Sequence, residues 1–229
     1  MALGIRLRRF ARKASSRTRR AALAPFVRVQ PDPTLVRLGS AGCDWWVPDD
    51  AVVPGAVAYC AGAGEDISFD LELNRRGMDV VALDTTPRAA AYVASVDPGD
   101  DWITFVPVGM WTKRAALTFH APADPREVSY TLLELQRTGR SRAVDSLPAI
   151  TAAGGHDHVD LLKLDIEGAE SSVLPDLLRT GPHSPVVRFE YDQPQPARKL
   201  RRLLAAFHEA GYVLVCRERW NCTLRMAKA

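Results

Sequence analysis

Residues 158–170 read HVDLLKLDIEGAE, an apolar run that ends in a cluster of acids. Val159–Leu164 is too short for a stable isolated helix, and its mostly apolar composition predicts a central strand that is covered on both faces. In an open parallel sheet the carboxyl ends of the strands face the ligand crevice. Asp165, which follows this strand directly, is therefore predicted to point into a site.

Two further acids lie in the turn after this strand. Gly168 permits a tight turn, and the run that follows it predicts a helix. Glu170 is interpreted as complementing the positive N-terminal end of that helix. Glu167 fits either this role or a place in the site.

The same order of strand, turn and acid occurs earlier in the chain. The predicted elements there are a strand over Val57–Cys60, a helix over Ile67–Arg76 and a second strand over Met78–Leu83. A glycine turn, AGAG at residues 61–64, joins the first strand to the helix, and the second strand ends at Asp84, 20 positions after Gly64. In nucleotide-binding β-α-β units a carboxylate at this spacing accepts hydrogen bonds from ribose hydroxyls, so Asp84 is predicted to bind a ribose.

The rest of the chain continues the alternation of strands and helices. The predicted elements are a helix over Pro87–Ala94, strands over Ile103–Met110 and Ala116–His120, an irregular lid-like excursion over Val128–Arg142, a helix through Val144, Leu147 and Ile150, a helix over Ala169–Arg179, a strand over Val186–Phe189, a helix that starts near Pro196 and stops at Gly211, and strands over Tyr212–Arg217 and Asn221–Met226. Pro175 is expected to kink or divide the helix in which it lies. The two final strands predict an antiparallel hairpin at the end of a doubly wound α/β sheet, which differs from the plain alternation of a dehydrogenase domain.

Length and composition predict one substantial domain with short additions. The chain has 229 residues, of which 47% are hydrophobic and 25% are charged, and such a chain can bury one core. We expect a basic tail over residues 1–24, an entry segment over residues 25–55 and the main domain over residues 56–229. Trp45 and Trp46 are expected to anchor the entry segment or to line a substrate pocket.

The basic residues are concentrated in the tail. Nine of the 30 lysines and arginines precede Asp32, the first acid, so the rest of the chain has 21 bases against 27 acids, a net charge of −6. Such an arm attracts nucleic acid or an anionic membrane surface. A solvated, partly helical extension is the preferred interpretation.

Other features favour a cytoplasmic location. No apolar run approaches the ~20 residues of a membrane span, and no apolar region follows Arg8 and Arg9 as an export signal requires. The four cysteines show no C-x-x-C spacing, so we expect reduced thiols rather than a zinc knuckle or a disulfide framework.

The residues after the glycine turn distinguish between nucleotide ligands. A dinucleotide fingerprint needs a small residue where this chain has Ile67, and a pyrophosphate would lie against the helix N-terminus. Glu65 and Asp66 occupy that turn, and two like charges ~5 Å apart repel by about 3 kcal/mol at an effective dielectric constant of 20. NAD is therefore disfavoured. S-adenosylmethionine has no phosphate and carries two cationic groups that suit Glu65 and Asp66, while its carboxylate can use backbone amides of the turn at Gly62 and Gly64.

Three segments resemble the FkbM family of S-adenosylmethionine-dependent methyltransferases. They are Gly39–Pro48, the glycine turn with the start of its helix at residues 62–70, and the acidic string at residues 165–170. The similarity extends from Gly39 to the C-terminus, and Lys163–Glu170 is its most specific part. The resemblance implies a class I methyltransferase (Rossmann-like) fold, a three-layer α/β sandwich whose mostly parallel seven-stranded sheet contains an antiparallel C-terminal hairpin strand.

The resemblance also implies an activity and a set of site residues. The implied reaction is O-methylation of a hydroxyl group on a small molecule, a sugar or a glycan. Position by position, it assigns Gly62 and Gly64 to the cofactor loop, Asp84 to the ribose, and Asp165 to the methionine end of the cofactor.

The reaction itself suggests roles for the acids. Methyl transfer from a sulfonium is an in-line displacement, so much of catalysis is the positioning of donor and acceptor. A hydroxyl acceptor must also lose its proton, which a nearby carboxylate can take. We expect Asp165 to be that base or to orient the acceptor, with Glu190 as the second candidate and Glu167 in support.

Several alternative functions fit the sequence less well. Asp165, Glu190 and Asp192 could converge on a hard cation, but strand-tip acids of this fold more often contact cofactor or substrate, so no metal is predicted. His156 and His158 lack a complete set of zinc ligands. A non-catalytic module that binds S-adenosylmethionine, or RNA through the arginine-rich tail, is the alternative from another functional class, and an NAD-dependent oxidoreductase is a less favoured enzyme.

Overall fold

The computed structural model describes residues 28–96, 103–120, 139–181, 183–191 and 197–227. Four of the features predicted from sequence lie outside these ranges: the basic tail, residues 128–138 of the lid-like excursion, Asp192 and Pro196. Within the described ranges, no helix combines the length and the apolar character needed to cross a membrane.

The described residues form twelve strands, five α-helices and a 3-10 helix at Asp49–Ala51. The strands are β1 (Leu35–Leu38), β2 (Trp45–Pro48), β3 (Val57–Ala61), β4 (Asp79–Leu83), β5 (Thr104–Val106), β6 (Gly109–Trp111), β7 (Ala115–His120), β8 (Gly139–Ser146), β9 (Leu161–Leu164), β10 (Val186–Glu190), β11 (Tyr212–Glu218) and β12 (Asn221–Met226). The helices are α1 (Ser68–Arg75), α2 (Pro87–Val96), α3 (Leu147–Ala153), α4 (Glu170–Thr180) and α5 (Ala197–Glu209).

Seven strands form one sheet in the order β11-β12-β10-β9-β3-β4-β5. The pairs from β10 to β5 are parallel, whereas β12 is antiparallel to both of its neighbours. This confirms the predicted mostly parallel seven-stranded sheet with an antiparallel C-terminal hairpin strand. Strand order reverses between β3 and β9, and ligands of open α/β sheets bind at such a switch point, beyond the carboxyl ends of the strands.

Helices cover both faces of this sheet, which gives the predicted three layers. Along β3, Tyr59 and Ala61 pack towards α3, α4 and α5, whereas Ala58 and Cys60 pack towards α1 and the β1–β2 hairpin. All five residues of β3 are buried, as expected for a central strand whose apolar side chains enter a core on each face.

The β1–β2 hairpin lies across the second face of the sheet. The hydroxyl of Thr223 donates a hydrogen bond of 2.7 Å to the main-chain oxygen of Trp46. Arg225 forms ion pairs with Asp32 and Asp50, at 2.8 and 2.6 Å. These contacts join the residues around the hairpin to β12, near the other end of the chain.

A second sheet leaves the parallel sheet after β5. It contains β6, β8 and β7 in that order. The prediction of one strand over Ile103–Met110 was therefore wrong, because the chain forms β5 and β6 in different sheets. Pro107 lies between them, and proline has no N–H group to continue a ladder.

One further local prediction was wrong, and the expected division of a helix at Pro175 was wrong as well. Val144 belongs to β8 rather than to a helix with Leu147 and Ile150, because α3 begins only at Leu147, with a proline in its first turn. Pro175 does not divide its helix, since α4 is continuous from Glu170 to Thr180. Pro175 lies early in α4, where a missing N–H removes one hydrogen bond close to the helix start.

Candidate functional site

A cavity of about 450 Å³ opens at the carboxyl ends of the central strands. All eight residues that sequence reasoning assigned to the site line it: Gly62, Gly64, Glu65, Asp66, Asp84, Asp165, Glu167 and Glu190. The structure thus brings together strand tips that are more than a hundred residues apart in the chain. Their roles in binding or catalysis remain predictions.

The glycine turn after β3 is in direct contact with the turn after β9. Gly62 has φ +92°, and a β-carbon at this position would lie 2.0 Å from the main-chain oxygen of Asp165. The amide of Asp165 donates a hydrogen bond of 3.0 Å to Ala61, and the amide of Gly62 donates one of 2.8 Å to Leu83. Only glycine fits at position 62, because any side chain would separate the two turns.

Lys163 of β9 also holds the glycine turn in place. Its Nζ donates a hydrogen bond of 2.7 Å to the main-chain oxygen of Gly62, and the side chain is buried. Burial alone would lower the pKa of Lys163, but the nearby Asp70 and Asp165 outweigh it and raise the pKa above its usual value. The ammonium therefore stays charged and holds the glycine turn against β9.

Asp84 braces the glycine turn from the second strand. Its Oδ2 accepts a hydrogen bond of 3.0 Å from the amide of Gly64. Its Oδ1 accepts hydrogen bonds from the amide and the hydroxyl of Thr86, at 2.7 and 2.8 Å. Asp84 is thus held in one position at the wall of the cavity, where sequence reasoning places a ribose.

Glu65 and Asp66 lie at the rim of the cavity and also have protein partners. Glu65 forms an ion pair with Arg88. Asp66 accepts hydrogen bonds from the hydroxyl of Ser40 at 2.6 Å and from the amide of Ser68 at 2.8 Å. Burial acts to raise the pKa of Asp66, but the bonds from Ser40 and Ser68 outweigh it and lower the pKa. Asp66 is therefore a fixed negative charge at this rim.

Three acids of the lining, Asp165, Glu167 and Glu190, lie close enough to influence one another. Burial raises the pKa of Asp165, and Asp84 raises it further, against the attraction of Lys163 and Arg188. Burial, followed by repulsion from Asp165 and Glu167, raises the pKa of Glu190 to about 7. A carboxyl group that titrates near neutral pH is suited to exchanging protons with a substrate.

The turn that carries two of these acids is held by Glu170. Its two carboxylate oxygens accept hydrogen bonds of 3.0 Å from the amides of Ile166 and Gly168. Between them, Glu167 adopts φ +52°, a left-handed conformation that costs a residue with a side chain about 1 kcal/mol. Glu170 is the first residue of α4, as predicted, but burial raises its pKa to about 8. At neutral pH it therefore fixes the backbone of the catalytic candidates through these hydrogen bonds rather than complementing the helix end with a negative charge.

A row of charged side chains at the cavity was not predicted from the sequence. Lys163 pairs in register with Cys60 on one side and with Arg188 on the other. The Arg188 guanidinium lies 4.0 Å from the ring centroid of Trp45, and Asp70 on α1 is 1% exposed. A charged residue inside an apolar strand, as in LLKL and VVRF, is the signal that could have identified this row.

The second sheet contributes one wall of the cavity. Gly109, Met110 and Phe119 belong to this sheet and line the cavity. Trp45 of the hairpin lines it from the opposite side, so this tryptophan both anchors the hairpin and faces the site. Apolar residues from the second sheet and from the hairpin thus line a cavity that is otherwise rich in acids.

The two histidines that were weighed as zinc ligands have other contacts. His156 lies between Tyr59 and Asp79, at 2.8 and 3.1 Å, and His158 lies 3.3 Å from Asp160. In the part of the chain that the structure describes, no group of three histidine, cysteine or acidic residues is arranged to hold a metal ion.

The fold is similar to those of several solved proteins at low sequence identity. It is similar to magnesium protoporphyrin IX methyltransferase from Synechocystis (12% identity, 93% of this chain and 79% of that chain, TM-score 0.41). It is also similar to Aeropyrum pernix fibrillarin solved with natively bound S-adenosyl-L-methionine (10%, 88% and 86%, TM-score 0.45). A TehB-like methyltransferase from Corynebacterium glutamicum is a third example (14%, 78% and 84%, TM-score 0.40).

Comparison of sequences gives a more specific result. No curated protein matches the chain significantly. The family model of the methyltransferase FkbM domain, however, matches residues 49–214, a range that runs from the end of the hairpin to β11 and includes every candidate site residue. The chain is therefore a member of the FkbM methyltransferase family.

Proposed function

We propose that the protein transfers a methyl group from S-adenosylmethionine to a hydroxyl oxygen of a small molecule, a sugar or a glycan. The observation that carries this proposal is the charge of the cavity. Eight acids line it: Asp44, Glu65, Asp66, Asp70, Asp84, Asp165, Glu167 and Glu190. Among the described residues, Lys163 is the only lysine or arginine in the lining, and its Nζ is directed at Gly62.

This charge favours a cationic ligand over a diphosphate. S-adenosylmethionine carries a sulfonium and an ammonium group, whereas NAD carries two phosphates. At an effective dielectric constant of 20, each close approach of a phosphate to a carboxylate costs about 3 kcal/mol at ~5 Å, and the same distance stabilises a cation by a similar amount. An NAD-dependent activity is disfavoured on this ground.

The residues of the cavity suit the different parts of the donor. We assign Gly62 and Gly64 to the close approach of the donor, Glu65 and Asp66 to its cationic groups, and Asp84 to its ribose. Asp84 is already fixed by Gly64 and Thr86, so a ribose would meet an ordered acceptor.

The acids near β9 and β10 are assigned to the acceptor. The bound donor supplies an electrophilic methyl group, and the protein must orient a hydroxyl group and take its proton. Asp165 is the first candidate for this task because it lies at the switch point of the sheet, Glu190 is the second, and Glu167 supports them. The apolar walls at Met110 and Phe119 are assigned to the body of the acceptor.

Calorimetry with the purified protein tests the donor. S-adenosylmethionine and S-adenosylhomocysteine are expected to bind and NAD is not, and Asp84→Asn should weaken donor binding by at least tenfold, since charge-assisted hydrogen bonds contribute about 1.5–3 kcal/mol. Glu209→Gln, an exposed acid on α5, serves as the control. Binding of NAD without the methyl donor would contradict the proposal.

Transfer is tested with isotope-labelled S-adenosylmethionine and a panel of hydroxylated acceptors. Labelled product that Asp165→Asn reduces by at least a hundredfold would support Asp165 as the base, since general base catalysis contributes about 10²–10⁴-fold. Undiminished turnover in Asp165→Asn would exclude it. Donor binding without transfer to any acceptor would favour a non-catalytic module.

A further inference from the structure

Glu190 lies beside Asp165 at the junction of three strands. It is the last residue of β10, and the preceding residue, Phe189, pairs in register with Leu164 of β9. On its other side Glu190 pairs with Asn221 of β12. Asp165, Glu190 and Asn221 all line the cavity, so the carboxyl group of Glu190 faces the position of the ligand.

The charges around Glu190 are unevenly arranged. Asp165 at the tip of β9 and Glu167 in the next turn repel a negative charge on Glu190, while Lys163 and Arg188 attract it. Both cations are directed elsewhere, because Lys163 donates to Gly62 at 2.7 Å and Arg188 lies over Trp45 at 4.0 Å. Burial and the two acids prevail, and the pKa of Glu190 is about 7.

We propose that Glu190 holds a proton in the free protein and releases it when a cationic methyl donor enters the cavity, so that the donor itself creates the base for the acceptor. This inference rests on the proposed function and chooses between its two candidate bases: Glu190 takes the proton, and Asp165 orients the acceptor. Glu190 releases its proton because the positive sulfonium offsets the repulsion from Asp165 and Glu167 and so favours the ionised form of Glu190.

The transfer step then leaves the charge of the cavity unchanged. The acceptor oxygen forms a bond to the methyl carbon as the carbon–sulfur bond breaks, and sulfur keeps the electron pair and becomes a neutral thioether. The acceptor proton passes to Glu190 at the same time. One positive and one negative charge disappear together, and protonated Glu190 is again the form that the cavity favours without a cation. The next donor expels this proton and restores the base.

The difference between two ligands isolates this effect. S-adenosylmethionine and S-adenosylhomocysteine share the adenosine and the amino-acid groups and differ in the methyl group and its sulfonium charge. Calorimetric titration of the full chain at pH 7, in phosphate and in Tris, gives the number of protons released by each ligand. Since about half of Glu190 is protonated at pH 7, S-adenosylmethionine should release about 0.5 proton more than S-adenosylhomocysteine.

Two variants and a second pH complete the test. Glu190→Gln should abolish the difference between the ligands, whereas Glu209→Gln should retain it. In the unaltered protein the difference should fall towards zero at about pH 9, where Glu190 is already ionised. This second measurement does not depend on the folding of any variant.

Three outcomes would overturn the inference. Equal proton release by both ligands would show that the sulfonium does not change any carboxyl group of the site. A difference that persists in Glu190→Gln would assign the proton to another group, such as Glu170. If neither ligand binds, the proposed function fails first and the inference falls with it, so the two failures are distinct.

Discussion

The main-chain oxygen of Asp165 lies 2.0 Å from the position that a β-carbon on Gly62 would occupy. The tips of β3 and β9 are therefore in contact through their backbones at the point where strand order reverses. This contact places the glycine turn and the acidic turn on adjacent walls of one cavity. A substitution at Gly62 must move one of these walls.

Gly62→Ala is expected to lower the free energy of unfolding by about 3 kcal/mol, because it adds overpacking to the strain of φ +92°. Gly155→Ala is the matched control. Gly155 has φ +77° with nothing within 4 Å of the added carbon, so its cost should be only about 1 kcal/mol. Denaturant unfolding measures both, and equal costs would show that the turns separate without penalty.

Lys163→Met is expected to destabilise the protein by about 3–5 kcal/mol, since it leaves buried carboxyl groups without their cation. Asp70 supplies the largest attraction that raises the pKa of Lys163, so Asp70→Asn should recover part of this loss in the double variant. Lys113→Met, at an exposed position, should change the free energy of unfolding by less than about 0.5 kcal/mol. If the free energy of unfolding lost by the double variant equals the sum of the losses in Lys163→Met and Asp70→Asn, the two side chains are not coupled.

Glu167→Gly is expected to raise the free energy of unfolding by about 0.5–1 kcal/mol, because glycine adopts positive φ without strain. The same change removes one of the acids whose charge the sulfonium is proposed to offset, so it should weaken binding of S-adenosylmethionine about fivefold, as expected for the loss of ~1 kcal/mol of attraction. Arg219→Gly, at φ +56° in the exposed β11–β12 turn, should show the gain in stability with unchanged binding. If both variants change the binding of S-adenosylmethionine by the same factor, Glu167 is not part of the binding site.

Glu190→Gln is expected to change how stability depends on pH. Because folding raises the pKa of Glu190 from about 4.5 to about 7, its contribution to stability is complete below pH 4.5 and is lost as pH rises through 7. The variant does not titrate, so its free energy of unfolding relative to the unaltered protein should increase by about 1–2 kcal/mol from pH 5 to pH 8, after allowance for partial solvent screening. Denaturant titrations at both pH values measure these free energies of unfolding. If the difference between the variant and the unaltered protein is the same at pH 5 and pH 8, the pKa of Glu190 is not raised.

The strand-tip residues of the site could be predicted because their signals are local. An apolar run of strand length followed at once by Asp84 or Asp165 is visible in the sequence, and parallel topology places both acids at one edge of the sheet. The antiparallel hairpin was predictable for a similar reason, since two strands without an intervening helix cannot both be parallel to their neighbours.

The features that were missed depend on contacts between distant segments. Lys163 and Arg188 lie in apolar strands, and only the pairing of β9 with β10 shows that they form one row beneath Trp45. Similarly, Val144 has helical spacing to Leu147, but its pairing with Gly109 and Ala115 places it in a strand. Local spacing does not report such pairings.

The cavity is lined by residues from two different sheets, the parallel sheet and the second sheet formed by β6, β8 and β7. The glycine turn, Asp84 and Asp165 follow directly on strands of the parallel sheet, whereas Met110 and Phe119 lie on the second sheet, which the chain enters after Pro107. On the proposed assignment, exchange of the second sheet would alter the walls that meet the acceptor and leave the residues assigned to the donor in place. In the proposed function, acceptor specificity can therefore change independently of the methyl donor.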